Sequence, residues 1–244
     1  MDATDPAPDG APGGDDYPWI CSQRWEQVLF LSWEVPVAVA RDLVPAGLEL
    51  DVYEGKAYVS LLPLKMAHVR LRDLPGIPHL TNFPELNLRT YVRHGDKPGV
   101  FFTSLDAPSA LAVWIGRHVF HVRYDHADMS MAADALGAVT FDSDRIDSPA
   151  DFRATYQRKG PKRFAQEGSL EQFLCERYAM YGVHADGSLV RGDIHHDPWE
   201  LRDVEVHIEN ASVLVPTGVA GDRPPDHVAY SDETKNFVSP MLRV

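Results

Sequence analysis

Cysteine is nearly absent: the 244-residue chain has two, Cys21 and Cys175, in neither a CxxC nor a zinc-type spacing. A disulfide scaffold and a cysteine-bound metal are therefore not what organises it, and a reducing, cytoplasmic compartment is expected. Lysine is scarce too, with six residues and none between Phe101 and Arg158. Positive charge is short overall, 23 Lys and Arg against 36 Asp and Glu, for a formal net charge of −13. Without a basic stripe interleaved with aromatics, nucleic acid and anionic membrane surfaces are not expected partners. No apolar run reaches the ~18 residues that span a bilayer as a helix. The N-terminus is acidic and polar, whereas a signal peptide is basic and then apolar. HExxH, GxSxG, Walker and Rossmann patterns are missing, and the one glycine-rich stretch, GAPGG, has no strand before it. No metal and no cofactor are expected.

What is present is ordinary soluble composition, 44% apolar and 24% charged residues. Residues 1–16 are rich in Asp, Pro, Gly and Ala and offer little to bury, so a disordered acidic tail is expected there, with one domain over 17–244. Most of that domain has strand character. Apolar or alternating runs occupy 27–35, 57–69 (interrupted by Pro63), 85–92, 100–105, 127–133, 138–142, 177–184, 189–195 and 200–208. A DKPG turn makes the third and fourth a hairpin. Helices are few and short. One is expected over 36–43, and one over 106–120 with Asp106 as N-cap, Pro108 in the first turn and a buried stripe of Leu111, Ile115 and Val119. A third is expected over 169–176, opened by the Ser169–Gln172 capping signature. The class is mainly β with a few short helices (α+β), a barrel or a sandwich.

Chemistry concentrates between Phe83 and Met129. In 85–92, Leu86, Leu88, Thr90 and Val92 share one face of a strand, and Glu85, Asn87, Arg89 and Tyr91 share the other. Glu85 is a candidate general acid or base and Arg89 a candidate bidentate clamp on a carboxylate. The structural alternative is a Glu–Arg pair closing the mouth of a barrel. Tyr124 is either a phenol that donates to a carbonyl or enolate oxygen, or a buried tyrosine satisfied by backbone. Arg117 is a candidate ligand contact, with an internal carboxylate or solvent as the alternative. His118, His121 and His126 carry no metal-binding pattern. His195 and His196 are adjacent on a strand and point to opposite faces, so at most one, taken as His195, serves a cavity as a proton shuttle; the alternative is a histidine hydrogen-bonded at a strand end.

The segments WEVPVAVARDLVPAGLELDVYEGKAYVSLLPLKM, FPELNLRTYV, PGVFFTSLDA, GSLEQFLCERY and IHHDPWELRDVEVHIEN, in this order, resemble the YqjF-like family of bacterial proteins from about Trp25 to Tyr230. That family is a relative of acetoacetate decarboxylase. The resemblance implies an acetoacetate-decarboxylase-like antiparallel β-barrel enclosing a small-molecule cavity. The decarboxylases act through a lysine that forms a Schiff base, beside a second lysine that lowers its pKa. Leu105-Asp106 and Gly116-Arg117 resemble landmarks of those enzymes, Glu85 corresponds to a carboxylate before the lysine, and Tyr124-Asp125 falls where the lysine pair would stand. A phenol cannot form an imine, so decarboxylase activity is not expected; Lys65, within the long apolar run, is the only lysine positioned for desolvation. The expected function is binding, and as an enzyme transforming, a small oxo- or carboxylate-bearing molecule without a Schiff-base lysine, by lyase, hydratase or isomerase chemistry. Glu85, Tyr124 and His195 would be catalytic, with Asn87, Arg89 and Arg117 binding substrate. The alternative is a noncatalytic ligand-binding or sensing module. A sheet-edge homo-oligomer is compatible with either.

Overall fold

Period-two burial dominates the chain. In the computed structural model, which describes residues 18–72 and 81–244, it produces thirteen strands in one sheet among the described residues. The tail expected over 1–16 lies outside the described residues. The strands are β1 (Cys21–Val35), β2 (Glu49–Leu50), β3 (Ala57–Leu71), β4 (Phe83–His94), β5 (Lys97–Ala107), β6 (Tyr124–Ala133), β7 (Ala138–Arg145), β8 (Asp151–Arg163), β9 (Ala179–Val183), β10 (Leu189–His195), β11 (Leu201–Asn210), β12 (His227–Val238) and β13 (Leu242–Arg243). Helices α1 (Val37–Leu43), α2 (Ala110–His118) and α3 (Leu170–Cys175) and a 3₁₀ turn at Ser212–Thr217 decorate the sheet.

Pairing is antiparallel except at β5, which lies parallel to both β6 and β9. From β5 the pairings run through β6, β7, β8, β11, β12, β1, β3 and β4, and β4 pairs with β5 again. A second route leaves β5 through β9 and β10 and rejoins at β12. The sheet has apolar clusters on both sides. Trp25, Phe30, Tyr91, Phe102 and Trp199 belong to one cluster, and Trp33, Phe141, Phe152 and Tyr156 to the other. β4 therefore reads as expected, Leu86 and Leu88 joining the second cluster while Glu85, Asn87, Arg89 and Tyr91 alternate with them. Both of its faces are buried.

Pro63 does not interrupt β3. The β1–β3 register shifts between Glu26 and Leu31, where Gln27 has a positive φ of 54°, so the proline lies beside a bulge, a place where strands accept proline. The β4–β5 hairpin forms as expected, His94 facing Lys97. β8 and β12 were not expected. The second half of β8 is basic and exposed, and β12 carries Asp232, Glu233 and Lys235, so neither presents a clean apolar alternation. α2 also differs from its expectation. Its N-cap is Ser109, whose side chain accepts from the Ala112 N–H, while Asp106 remains in β5. Its buried residues are Val113 and Gly116; Leu111 and Val119 are exposed. α3 is capped by Ser169 as expected, with Gln172 reaching back to the Gly168 N–H.

Candidate active site

Strand register brings the chemistry together. Asn87 pairs with Leu105 across β4–β5, and Leu105 pairs with Tyr124 across β5–β6, so three adjacent strands deliver Asn87, Leu105 and Tyr124 to one place. Gly116 of α2 completes the arrangement. A Cβ there would stand 2.1 Å from Cδ2 of Tyr124, so only glycine lets the phenol ring lie against the helix. From the next position, Arg117 donates from Nε to the Tyr124 carbonyl oxygen at 2.7 Å and from Nη2 to the same atom. The backbone at Tyr124 is thereby held from outside while its side chain points inward.

The Tyr124 hydroxyl donates to Oε2 of Glu85 at 2.7 Å. Both side chains line a pocket of about 60 Å³ together with Asn87 and Trp25, against a wall of Met66, Phe102, Leu105, Phe120, Val122 and Met180. Burial pushes the Glu85 carboxyl up to about 7; hydrogen bonds from Tyr124 and Asn87 pull the other way, and the Asp106 charge adds to the rise. Burial, and then the neighbouring Glu85, push the Tyr124 phenol well above its ordinary value. The pair thus holds one proton firmly on the phenol and offers a second site that titrates near neutrality. Two buried polar atoms of lining residues, Trp25 Nε1 and Asn87 Oδ1, find no partner among the described residues.

Beside the pocket lies a buried ionic cluster. Arg145 of β7 donates from Nε to Oδ1 of Asp106 at 2.8 Å and from Nη2 to the Ser104 hydroxyl at 2.6 Å, and its Nη1 stands 3.2 Å from Asp125. Ser143 donates to the other Asp106 oxygen at 3.0 Å. Asp106 is thus a structural carboxylate joining β5 to β7, and not the helix cap expected from sequence. Burial raises its pKa, and Arg145 and Ser143 oppose that rise.

The remaining candidates go elsewhere. Arg89 is buried, donates from Nη2 to the Leu174 carbonyl at 2.8 Å and packs over Phe30 and Tyr91; it does not line the pocket and forms no pair with Glu85. Arg117 binds backbone and lies 3.6 Å from Asp125. His195 pairs across to Phe237 at the end of β10 and is not a lining residue. His196 is the buried one of the two, packed among Trp25, Tyr178 and Trp199, and burial lowers its pKa. Lys65 is not desolvated: its side chain is 41% exposed and its Nζ pairs with Glu26 at 2.9 Å. Cys21 is buried beside the site, and burial pushes its thiol up to about 12, so it is no thiolate nucleophile at neutral pH. His121 lies against His184 with ring centroids 4.6 Å apart. Among the described residues no group of three or more His, Cys, Asp or Glu converges as a metal site would require. Sequence reasoning missed Trp25 and Arg145. Trp25 is an unremarkable apolar position within β1, and the partner of Arg145 lies 39 residues away.

Residues 22–235 match the family DUF2071, described as "Uncharacterized conserved protein". The "Uncharacterized protein YqjF" of Bacillus subtilis (strain 168) is 43% identical over 203 residues, covering 82% of this chain and 83% of that protein. An acetoacetate decarboxylase-like enzyme from Sphingomonas wittichii RW1 is similar in structure, with a TM-score of 0.63 at 15% identity, over 92% of this chain and 93% of that one. An enduracididine biosynthesis enzyme complexed with pyruvate gives 0.64 at 12% identity, over 100% of this chain and 98% of that one. At such identities the likeness is one of fold: a mainly β, acetoacetate-decarboxylase-like architecture.

Proposed function

We propose that this chain, which belongs to the DUF2071 family of uncharacterized conserved proteins, is a cofactor-independent enzyme that moves protons on a small oxo compound, its sheet closing as a barrel around the site. The observation that carries the reading is the 2.7 Å hydrogen bond between Tyr124 and Glu85 inside an apolar-walled pocket. The pairing path that leaves β5 and returns to it through β4 supports the barrel.

In the proposed reaction the Glu85 carboxylate takes a proton from carbon next to the ligand's carbonyl. The C–H electron pair moves into the C–C bond, and the carbonyl π pair moves onto oxygen. Once protonated, Glu85 no longer needs the phenol as a donor, so the Tyr124 O–H is released to the developing enolate oxygen. Return of the proton to another atom completes an isomerisation; departure of a β-substituent completes an elimination. No step passes through an imine. The absence of lysine from the pocket lining and the surface pairing of Lys65 support that choice.

The test is exchange of α-protons in deuterated water, followed by proton NMR on acetone, hydroxyacetone and pyruvate. The protein is expected to accelerate exchange in at least one of them, and Glu85→Gln to slow it by at least about 100-fold. Background rates across the set, or rates indifferent to both Glu85→Gln and Tyr124→Phe, would sink the proposal.

A further inference from the structure

We infer that the pocket selects a small uncharged molecule carrying both a hydrogen-bond acceptor and a donor, which Trp25 Nε1 and Asn87 Oδ1 respectively recognise. The inference rests on the proposed site and adds the class of compound it takes. Trp25 is 8% exposed and Asn87 3%, and both line the pocket. Their two atoms are buried without a partner among the described residues. Leaving such an atom unsatisfied destabilises a protein substantially, and buried polar atoms are ordinarily paired. Two together on one small pocket are therefore informative. Indole is a donor only. Asn87 Oδ1 is the unpartnered atom, and the amide NH₂ is the group of that side chain able to donate toward the Glu85 carboxylate, whose pKa Asn87 lowers. The pocket thus presents one free donor and one free acceptor.

Charge argues against an anion. The lining includes no Lys, Arg or His. The carboxyl in the lining is Glu85, and the nearby Asp106 charge adds to the rise of its pKa. Arg89 is not in the lining: its Nη2 is held by the Leu174 carbonyl and its guanidinium packs over the rings of Phe30 and Tyr91. A carboxylate placed here would be an unpaired charge against a largely apolar wall. Size narrows the class further. At the ~10–15 Å³ that each enclosed water needs, a pocket of about 60 Å³ holds about four to six waters, which suits molecules of about four or five non-hydrogen atoms. Primary amides and hydroxyketones of that size carry the required pair of groups.

The experiment is a titration of ¹⁵N-labelled protein at pH 8, reading the indole N–H resonances of its five tryptophans, that of Trp25 being assigned by its loss in Trp25→Phe. Acetamide and hydroxyacetone are expected to shift the Trp25 resonance, whereas acetate and ethylammonium leave it in place. Trp25→Phe keeps an aromatic ring on Trp199 but lacks the donor. It and Asn87→Leu should each weaken acetamide binding, followed by ligand relaxation, by about three- to tenfold. Unmoved signals from Trp33 and Trp114, which pack away from Trp25, confirm that the Trp25→Phe fold is intact. A Trp25 resonance indifferent to both neutral compounds, one moved equally by acetate or ethylammonium, or binding insensitive to both variants, would overturn the inference. The two proposals fail separately. Selective binding without α-proton exchange removes the enzyme reading and leaves this one. Exchange that is as fast with pyruvate and unaffected by Trp25→Phe removes this one and leaves the enzyme.

Discussion

Near pH 7 the Glu85 carboxyl is poised between its two protonation states, because burial lifts it from 4.5 to about 7 while Tyr124 and Asn87 hold it back. The same lift has a stability consequence whose sign follows from proton counting. Between about pH 4.5 and 7 the folded state keeps a proton that the unfolded state has lost, so stability falls as pH rises through that window and is level above it. The span is worth roughly 3 kcal/mol. Glu85→Gln has no proton to lose. Its unfolding free energy relative to wild type should therefore rise between pH 5 and 7.5, and a difference that stays flat in urea titrations at those two pH values would contradict the assignment. Tyr124→Phe removes a hydrogen bond that favours the carboxylate and should move the Glu85 titration upward, read by carbon-13 NMR of the labelled carboxyl. These two residues and Asn87 were legible because polar side chains interrupt an otherwise apolar strand, or stand where a nucleophile would be. Arg89 and Arg117 were also candidates in the sequence but found backbone carbonyls, at Leu174 and Tyr124, which no local pattern announces.

Helix α2 shows how a site is shaped by an element that supplies no reacting atom. Alanine in place of glycine inside a helix ordinarily stabilises by roughly 0.5–1 kcal/mol. At Gly116 the added methyl would collide with the Tyr124 ring, so the sign should reverse, with a loss of about 1–3 kcal/mol. Gly116→Ala is also expected to abolish the dependence of α-proton exchange on Tyr124, since the phenol would no longer reach Glu85. Greater thermal stability in Gly116→Ala would show that the ring is not held as described. Gly116 also explains why the apolar stripe at Leu111, Ile115 and Val119 misled. Helical periodicity gives the spacing of a face but not which face turns inward, and here the smallest residue faces the ring while Leu111, Trp114 and Val119 are exposed.

Across the whole molecule, Arg145 ties together strands that are distant in sequence, meeting Ser104 and Asp106 of β5 and Asp125 of β6 from its place on β7. Its side chain is 8% exposed and that of Asp106 1%, so Arg145→Met would strand a buried carboxylate and should cost about 3–5 kcal/mol in urea unfolding. Adding Asp106→Asn should recover part of that loss, and a purely additive double variant would show that the pair is uncoupled. Such ties are where the sequence ended. By itself it determined the mainly β class, the β4–β5 hairpin, the Ser169 cap and the alternation that puts Glu85 and Asn87 on one face, because period-two burial and capping are local and leave a local trace. It also determined that no lysine stands at the Tyr124 position. The tertiary structure alone decided that Tyr124 meets Glu85, that Asp106 serves Arg145 instead of a helix, that the polar strand β12 is central, and that Trp25 borders the pocket. Each of those depends on register between strands far apart in the chain, and register is set by the packing of the whole sheet.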